Sequence, residues 1–409
     1  MTNIKYINKN ITIENVAVKK IATKIQTPFY LYSNKKIIEN YRSFVKNFKN
    51  VNPLVCFSVK ANSNLSILKI LKKLGSGADV VSEGELLKVL KSGIKPSKIV
   101  FSGVGKSEEE LKLAIKKKIL LINIESENEA RLVNKISKKM GRKTSIGLRL
   151  NPDINVPTHK KISTGKAEDK FGLSRKNLIA FCQNIKKFNY LKLDAISVHI
   201  GSQILSDNPF KKTLNILNGI IKSENLSLKF VDLGGGFGIS YQKKDKKIKL
   251  KNYSKLVSKF KKKHNCHIIF EPGRAIVGNA GILVSKIQYL KESKNKTFVI
   301  LNAGMNDFMR PALYDAAHNI IPVIKNNKKN KNSVEFVGPI CETTCKFIKY
   351  KSYQKLNENE LVAILDVGAY GSALSSNYNT KPLAAEILVN KKKFKIIRKR
   401  QDLLKLIKN

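Results

Sequence analysis

A chain of 409 residues, 42% of them hydrophobic, is long enough for two domains with apolar cores, yet no stretch approaches the roughly 20 apolar residues of a membrane span. The net charge of +48 comes mostly from lysines spread along the whole chain, with only nine arginines among 78 basic residues, which argues against a specific nucleic-acid surface. The five cysteines are odd in number and scattered without a CxxC pair, and the first residues show no signal peptide, so we expect a cytoplasmic protein without disulfides.

The first 280 residues predict a barrel preceded by short strands. Residues 1–34 contain β-like segments, and from residue 36 onward helical periods appear, of which 36–48, 66–74, 83–92 and 107–117 are the clearest. The expected barrel strands are 54–59, 77–81, 99–101, 120–124, 144–150, 195–199, 230–233 and 266–270. Eight strands alternating with helices match a (β/α)8 TIM barrel in number and length, and an open doubly wound sheet is the alternative.

The β-rich sequence after Gly281 predicts a second domain. Helical periods become rare there, and the expected strands are 298–301, 334–337, 361–365 and 386–389. We therefore divide the chain into residues 35–280, which form the barrel, and residues 281–409, which form a C-terminal β-domain (a sandwich or a barrel). Residues 1–34 are expected to contribute strands that join this β-domain.

Lys60 stands out because it closes the first apolar barrel strand, whereas most lysines of the chain lie in polar runs. Burial disfavours an ammonium group, lowers its pKa and frees the amine to act as a nucleophile. The alternative is a lysine whose long stem lets its ammonium reach the surface at a strand end.

Other polar residues occupy the C-terminal ends of the predicted strands, where barrels carry their active sites. They are Asp79, Arg149, His199, the glycines of 234–238 and the turn 271–274. Successive glycines let backbone N–H groups approach an anion, and the loops after the last two strands commonly bind phosphate, although a merely flexible loop is the alternative. A lysine, a phosphate site, a histidine and a carboxylate together favour pyridoxal phosphate. Lys60 would form the Schiff base, His199 would stack on the ring, and Glu271 would keep the pyridine nitrogen protonated.

Several motifs resemble one known family, the alanine-racemase-like (fold type III) pyridoxal-phosphate decarboxylases, and most closely those that act on meso-2,6-diaminopimelate. The matching segments are 57–62, 76–85, 170–172, 199–203, 234–238, 271–274, 310–314, 341–342 and 368–371. The resemblance extends from about residue 25 to about residue 390. It implies decarboxylation to L-lysine and CO2 as the last step of lysine biosynthesis.

The resemblance also implies a role for each site residue. The catalytic residues would be Lys60, His199 and Cys341, the last as proton donor. The cofactor would be bound by Lys60, Asp79, His199, Ser202, Gly235, Gly236, Glu271, Pro272, Gly273, Arg274 and Tyr370. The substrate would be bound by Arg274, Arg310, Tyr314, Glu342 and Tyr370. In the family Cys341 and Glu342 reach the site of the neighbouring subunit, so a homodimer with shared active sites is implied.

The distal end of the substrate decides the specificity expected of this site. Arginines bind a carboxylate through paired hydrogen bonds and a glutamate suits an ammonium, whereas ornithine or lysine decarboxylases would have no use for Arg310. One residue departs from the family pattern, because Cys345 stands where an acid usually follows the Cys-Glu pair. The alternatives are a decarboxylase of another basic amino acid or carboxylated polyamine, a non-catalytic pyridoxal-phosphate carrier, and a basic nucleic-acid binder.

Two further motifs are expected to carry no function. Residues 101–107 end like a phosphate-binding P-loop, but Val100 replaces the required first glycine. His264 and His267 have no further ligand pair at a suitable spacing, so no metal site is predicted.

Overall fold

The computed structural model describes residues 4–156, 159–162, 164–242, 245 and 248–408. In chain order the strands are β1 (Ile4–Ile7), β2 (Asn10–Ile13), β3 (Val16–Ala17), β4 (Phe29–Ser33), β5 (Leu54–Ser58), β6 (Gly77–Val80), β7 (Ile99–Phe101), β8 (Leu121–Ile124), β9 (Thr144–Leu150), β10 (Leu191–Val198), β11 (Phe230–Asp232), β12 (His267–Phe270), β13 (Gly281–Ser293), β14 (Lys296–Leu301), β15 (Ile320–Pro322), β16 (Ser333–Val337), β17 (Lys346–Tyr350), β18 (Leu361–Ile364), β19 (Ala385–Asn390) and β20 (Lys393–Arg398). The α-helices are α1 (Val18–Ala22), α2 (Asn34–Asn47), α3 (Leu65–Lys73), α4 (Glu83–Ser92), α5 (Glu108–Lys116), α6 (Glu127–Lys139), α7 (Arg175–Gln183), α8 (Asn208–Ser223), α9 (Leu250–His264), α10 (Arg274–Val277), α11 (Arg310–Tyr314) and α12 (Leu403–Leu406).

The chain divides into two compact units. The barrel unit consists of Tyr41–Ile239 and Lys246–Ala275, and the β-unit consists of Met1–Asn40, Ser240–Asp245 and Ile276–Asn409. The domain boundaries expected after residues 34 and 280 stay a prediction. Within the part of the chain that is described, helices are too short or too polar to traverse a bilayer.

The barrel is closed by eight parallel strands in the order β5 to β12, which confirms the predicted (β/α)8 fold. Its interior includes a buried apolar cluster contributed by six of these strands: Cys56, Val100, Leu121, Ala195, Phe230 and Ile269. Most strand ends agree with the prediction to within one residue, and two of the differences have a clear cause in the structure. The first strand stops at Ser58 because Val59–Ala61 turn into a 3-10 helix, and β10 begins at Leu191, where it pairs with Thr144 of β9.

Serines at the helix starts explain why the strands of the first half alternate so regularly with helices. Ser82, Ser107 and Ser126 each precede a helix and accept a hydrogen bond from the backbone N–H three residues later. At α5 the bond is reciprocated, because Glu110 Oε2 accepts the Ser107 N–H at 2.8 Å. Such caps each stabilise a helix by about 1 kcal/mol.

Aromatic side chains fix the glycine-rich loop after β11 against the barrel. Phe237 stacks on Phe210 with ring centroids 5.1 Å apart and meets Phe44 and Phe270 edge-on. Because Phe237 is buried, truncating its side chain would lower the free energy of unfolding by roughly 3–5 kcal/mol. The loop would then lose its main contact with the barrel.

The β-unit is built from both ends of the chain. Its main sheet has the order β17-β16-β14-β13-β4-β19-β20, with β18 also paired to β13 and β15 paired to β18. Strand β4 lies antiparallel to β13 and parallel to β19, which confirms that N-terminal sequence joins the C-terminal β-domain. Strands β1 to β3 form a separate small sheet, and its Ile11 and Ile13 share one apolar core with Phe29, Leu31 and other residues of the main sheet.

Candidate active site

Lys60 lies in the 3-10 turn directly after β5. Its Nζ is 3.2 Å from Oδ2 of Asp79 on the neighbouring strand, and its side chain is 35% exposed. Asp79 is fully buried and also accepts a hydrogen bond of 2.9 Å from Ser58 Oγ. The amine of Lys60 is therefore held by a buried acid at the mouth of the barrel, rather than extended into bulk water.

A cavity of about 300 Å³ opens at this mouth. It is lined by residues from most of the barrel strands: Lys60, Val81, Ser102, Gly103, Asn123, Arg149, Thr164, Phe171, Ser197, Val198, His199 and Glu271. Ser197 Oγ is buried and makes no hydrogen bond to any residue that the structure describes. An unpaired buried hydroxyl is costly, so the cavity wall has hydrogen-bonding capacity left for a ligand.

Two buried carboxyl groups, those of Glu271 and Asp232, form a pair beneath the cavity. Burial raises the pKa of Glu271 well above its usual range, and the charges of Asp232 and Asp79 raise it further. Burial also raises the pKa of Asp232, although its Oδ1 accepts the Gly234 N–H at 2.9 Å. Because two adjacent buried carboxylates repel each other, the pair retains a proton.

His199 follows β10 and contacts the glycine-rich loop. Its Nδ1 accepts the Gly235 N–H at 3.2 Å, so in the neutral ring the proton lies on Nε2. Burial lowers the pKa of His199 well below its usual range, and the charges of Lys60 and Arg149 lower it further. The ring is therefore uncharged and presents a flat aromatic face.

The loops after β11 and β12 approach the barrel closely. A Cβ atom at Gly235 would lie 2.2 Å from the carbonyl oxygen of Glu271, and Gly236 has a φ of +86° that favours glycine. A Cβ at Gly273 would lie 2.9 Å from that of Ala61. Next to this loop, Arg274 Nη2 donates a 2.9 Å hydrogen bond to Ser202 Oγ.

Apart from Arg274, the expected substrate residues lie in the β-unit. Arg310 is buried at the start of α11, with its guanidinium carbon 6.0 Å from the Tyr314 ring centre. Tyr370 adopts a φ of +55°, which is an outlier for a bulky residue and is commonest at functional sites.

Cys341 and Glu342 are both exposed on the surface of the β-unit. The hydroxyl groups of Tyr378 and Thr344 both donate hydrogen bonds to the Glu342 carboxylate and lower its pKa. Cys345, where the family pattern has an acid, is buried and its Sγ accepts the Met305 N–H at 3.3 Å. Burial raises the pKa of the Cys345 thiol, so this position carries no charge here.

Several residues near the cavity were not predicted as site residues. Ser58, Ser102, Asn123 and Asp232 hydrogen-bond to Asp79, Glu271 or each other, and Ser102 and Asn123 also line the cavity. In the sequence they look like ordinary strand residues, because only the closure of the barrel brings their side chains together.

The P-loop-like segment has a structural explanation. Lys106 is buried and its Nζ donates to Glu129 Oε1 at 2.6 Å and to the backbone oxygens of Gly103 and Asn123. Over the described ranges, no three His, Cys, Asp or Glu side chains are grouped closely enough to hold a metal ion.

Residues 34–278 match the pyridoxal-binding domain of the pyridoxal-dependent decarboxylases, the class of enzyme to which this barrel and its lysine correspond. The diaminopimelate decarboxylase of Aquifex aeolicus is 40% identical over 402 residues, which are 98% of this chain and 95% of the relative. The chain belongs to the diaminopimelate decarboxylase family.

Solved structures of relatives agree with this assignment. The diaminopimelate decarboxylase of Helicobacter pylori complexed with L-lysine is 40% identical, with a TM-score of 0.89 and coverage of 95% of this chain and 98% of that one. The diaminopimelate decarboxylase of M. jannaschii in co-complex with L-lysine is 33% identical, with a TM-score of 0.93 and coverage of 100% and 98%.

The residues at the barrel mouth fit pyridoxal phosphate, the cofactor of this family. The cofactor needs an amine for its aldehyde, a flat partner for its ring, an acid for its ring nitrogen and donors for its phosphate. Lys60, His199 and Glu271 line the cavity and carry an amine, a flat ring and an acid, and the Ser197 hydroxyl of its wall is unpaired among the described residues. Arg274, in the same unit, carries N–H donors suited to a phosphate.

Proposed function

We propose that this chain decarboxylates meso-2,6-diaminopimelate to L-lysine and CO2, the last step of lysine biosynthesis. The observation that carries the proposal is the similarity to diaminopimelate decarboxylases over nearly the whole chain, at 40% identity in the Aquifex relative. The barrel mouth supports it, because its amine and its acid pair suit a pyridoxal-phosphate decarboxylase.

Lys60 is proposed to hold the cofactor, and Asp79 to orient the amine of Lys60. When bound, pyridoxal phosphate supplies an electron sink for the pair of electrons that CO2 leaves behind. Asp79 Oδ2, 3.2 Å from Nζ, keeps the Lys60 amine in place and accepts one of its protons as a hydrogen bond. Its Oδ1 has no hydrogen-bond partner among the described residues, which leaves an acceptor available beside the amine.

Glu271 is proposed to share a proton with the ring nitrogen of the cofactor, and His199 to stack on the ring. The carboxyl pair of Glu271 and Asp232 retains a proton, so Glu271 can share it with a ring nitrogen placed beside it. His199 is uncharged, so its ring can stack without repelling a protonated ring nitrogen. Ser202, Gly235, Gly236, Pro272, Gly273, Arg274 and Tyr370 complete the proposed cofactor site.

Five residues are proposed to bind the substrate: Arg274, Arg310, Tyr314, Glu342 and Tyr370. Arg274, Arg310 and Tyr314 are proposed to bind its distal carboxylate, and Glu342 its distal ammonium. Tyr370 is proposed as a further substrate contact. Cys341 donates the proton that quenches the substrate carbon after CO2 leaves. The family resemblance supports a homodimer with shared active sites, in which the exposed Cys341 and Glu342 reach the site of the neighbouring subunit. The odd number of scattered cysteines favours the cytoplasm.

The experiment that tests this function measures CO2 release from the cofactor-loaded protein. It offers meso-diaminopimelate, L-ornithine, L-arginine and L-lysine in parallel, with Lys60→Ala as the inactive control. Release from meso-diaminopimelate alone is expected. Release from another amino acid instead would overturn the substrate, and release from none would favour a non-catalytic carrier.

A further inference from the structure

The structure points to one residue that the family motifs did not single out, His318. It lies between α11 and β15 and is 2% exposed. Its Nε2 is 3.3 Å from the Nε of Arg310, which is itself 5% exposed. A buried arginine held by a buried histidine is unusual, since arginine more often pairs with an acid.

The protonation of His318 follows from its second hydrogen bond. Nδ1 lies 2.8 Å from the carbonyl oxygen of Leu365, which can only accept, so Nδ1 carries the proton. In the neutral ring Nε2 is then an acceptor, and the N–H of Arg310 donates to it. Two hydrogen bonds therefore form a chain: the Arg310 guanidinium donates to the His318 imidazole, and the imidazole donates to the backbone carbonyl oxygen of Leu365, just after β18.

Aromatic rings hold His318 in this position. The Tyr241 ring lies 4.7 Å from the imidazole at an interplanar angle of 60°, and the Phe308 ring lies 4.7 Å away edge-on at 89°. The Arg310 guanidinium also lies over the Tyr241 ring, at 5.3 Å. The same tyrosine thus limits the rotation of both side chains.

The hydrogen bond to His318 occupies one edge of the Arg310 guanidinium, the edge that contains Nε. A guanidinium can bind a carboxylate through Nε and one terminal nitrogen, or through its two terminal nitrogens. Because the Nε edge donates to His318, an anion bound by Arg310 would use the edge formed by the two terminal nitrogens. An imidazole leaves the positive charge of Arg310 intact, whereas an acid in its place would neutralise it.

We infer that His318 is a positioning residue that orients Arg310 and so gives the site its preference for a ligand end that carries a carboxylate. The inference rests on the proposed function, in which Arg310 binds the distal end of the substrate. Removal of the hydrogen bond is expected to weaken carboxylate-bearing ligands selectively.

Two substitutions separate the two hydrogen bonds of His318. The amide nitrogen of His318→Asn can replace Nδ1 and keep the bond to Leu365, but its side chain is too short to reach Arg310. The carbonyl oxygen of His318→Gln can replace Nε2 and accept from Arg310. His264→Leu is the matched control, because His264 ends the outer helix α9 and hydrogen-bonds to Asn218 of α8.

The measurement compares two ligands that differ by one carboxylate, L-lysine and cadaverine, as inhibitors of the cofactor-loaded enzyme. For His318→Asn the inhibition constant of L-lysine is expected to rise about tenfold, with that of cadaverine unchanged within about twofold. His318→Gln should restore most of the L-lysine affinity, and His264→Leu should alter neither constant.

The outcomes distinguish the inference from the proposed function. Equal weakening of both ligands in His318→Asn, or no weakening of L-lysine, would overturn the positioning role. A wild-type enzyme that binds L-lysine no better than cadaverine and releases no CO2 from meso-diaminopimelate would instead overturn the proposed function.

Discussion

Glu85, on the first turn of α4, makes the stability of the barrel unit depend on pH near neutrality. Burial raises its pKa from the usual 4.5 to about 7, because desolvation outweighs the hydrogen bond that its Oε2 accepts from the Val81 N–H at 2.9 Å. The negative charge of Asp79 adds to the rise. The folded protein therefore keeps a proton on Glu85 that the unfolded chain has already released.

The sign and size of the effect follow from linkage. Since the folded state binds the extra proton, the free energy of unfolding falls as the pH rises from the unfolded pKa to the folded one. With a pKa of about 7 in the folded state, the loss between about pH 5 and about pH 8 is about 2.5 kcal/mol. Glu85→Gln keeps an acceptor for the Val81 N–H and carries no charge, so it should abolish this loss.

The assay is urea unfolding followed by circular dichroism at both pH values, for wild type and Glu85→Gln. The difference in unfolding free energy between the two proteins should shift by about 2.5 kcal/mol in favour of the variant on going to the higher pH. Glu83→Gln is the matched control, because Glu83 lies on the same turn but is exposed. Equal pH dependence of wild type and Glu85→Gln would refute the reasoning.

Three other substitutions test the site. Lys60→Ala should abolish the absorbance of the covalently held cofactor, and a band that survives dialysis would remove Lys60 from that role. Gly235→Ala should raise the dissociation constant of the cofactor at least about tenfold, because its Cβ would lie 2.2 Å from the Glu271 carbonyl oxygen, and an unchanged constant would show that the loop adapts. A thiol reagent should modify Cys341 before the other four cysteines, because those four are buried within the chain itself. The first phase of the reaction should vanish in Cys341→Ala, and an equally fast second thiol would contradict the burial of the other four.

Local sequence patterns were sufficient to predict the barrel and the polar residues at the C-terminal ends of its strands. The strand β5 and its lysine were visible because an apolar run ends abruptly there, although the 3-10 turn at Val59 was not. The long strand Gly281–Ser293 was not among the expected strands; its first half is apolar and buried, whereas its second half is largely exposed and polar.

The parts of the site that sequence could not predict depend on contacts between distant residues. Asp232 looks like a strand residue until the barrel closes and brings it beside Glu271. His318 is eight positions from Arg310, yet its role depends on a carbonyl oxygen at Leu365, 47 positions further on. No local period reports such a pairing.

The position of β4 between β13 and β19 has a consequence for synthesis on the ribosome. Residues Phe29–Ser33 leave the exit tunnel early, but their partner β13 starts at Gly281, about 250 residues later. At the usual elongation rates of roughly 5–20 residues per second, this fully buried strand waits about 10–50 s without a pairing edge, and longer still for β19. A nascent chain that already contains a complete barrel therefore still exposes a Phe-Tyr-Leu-Tyr segment, which makes β4 a natural target for chaperones and the place where translation arrest would lead to aggregation.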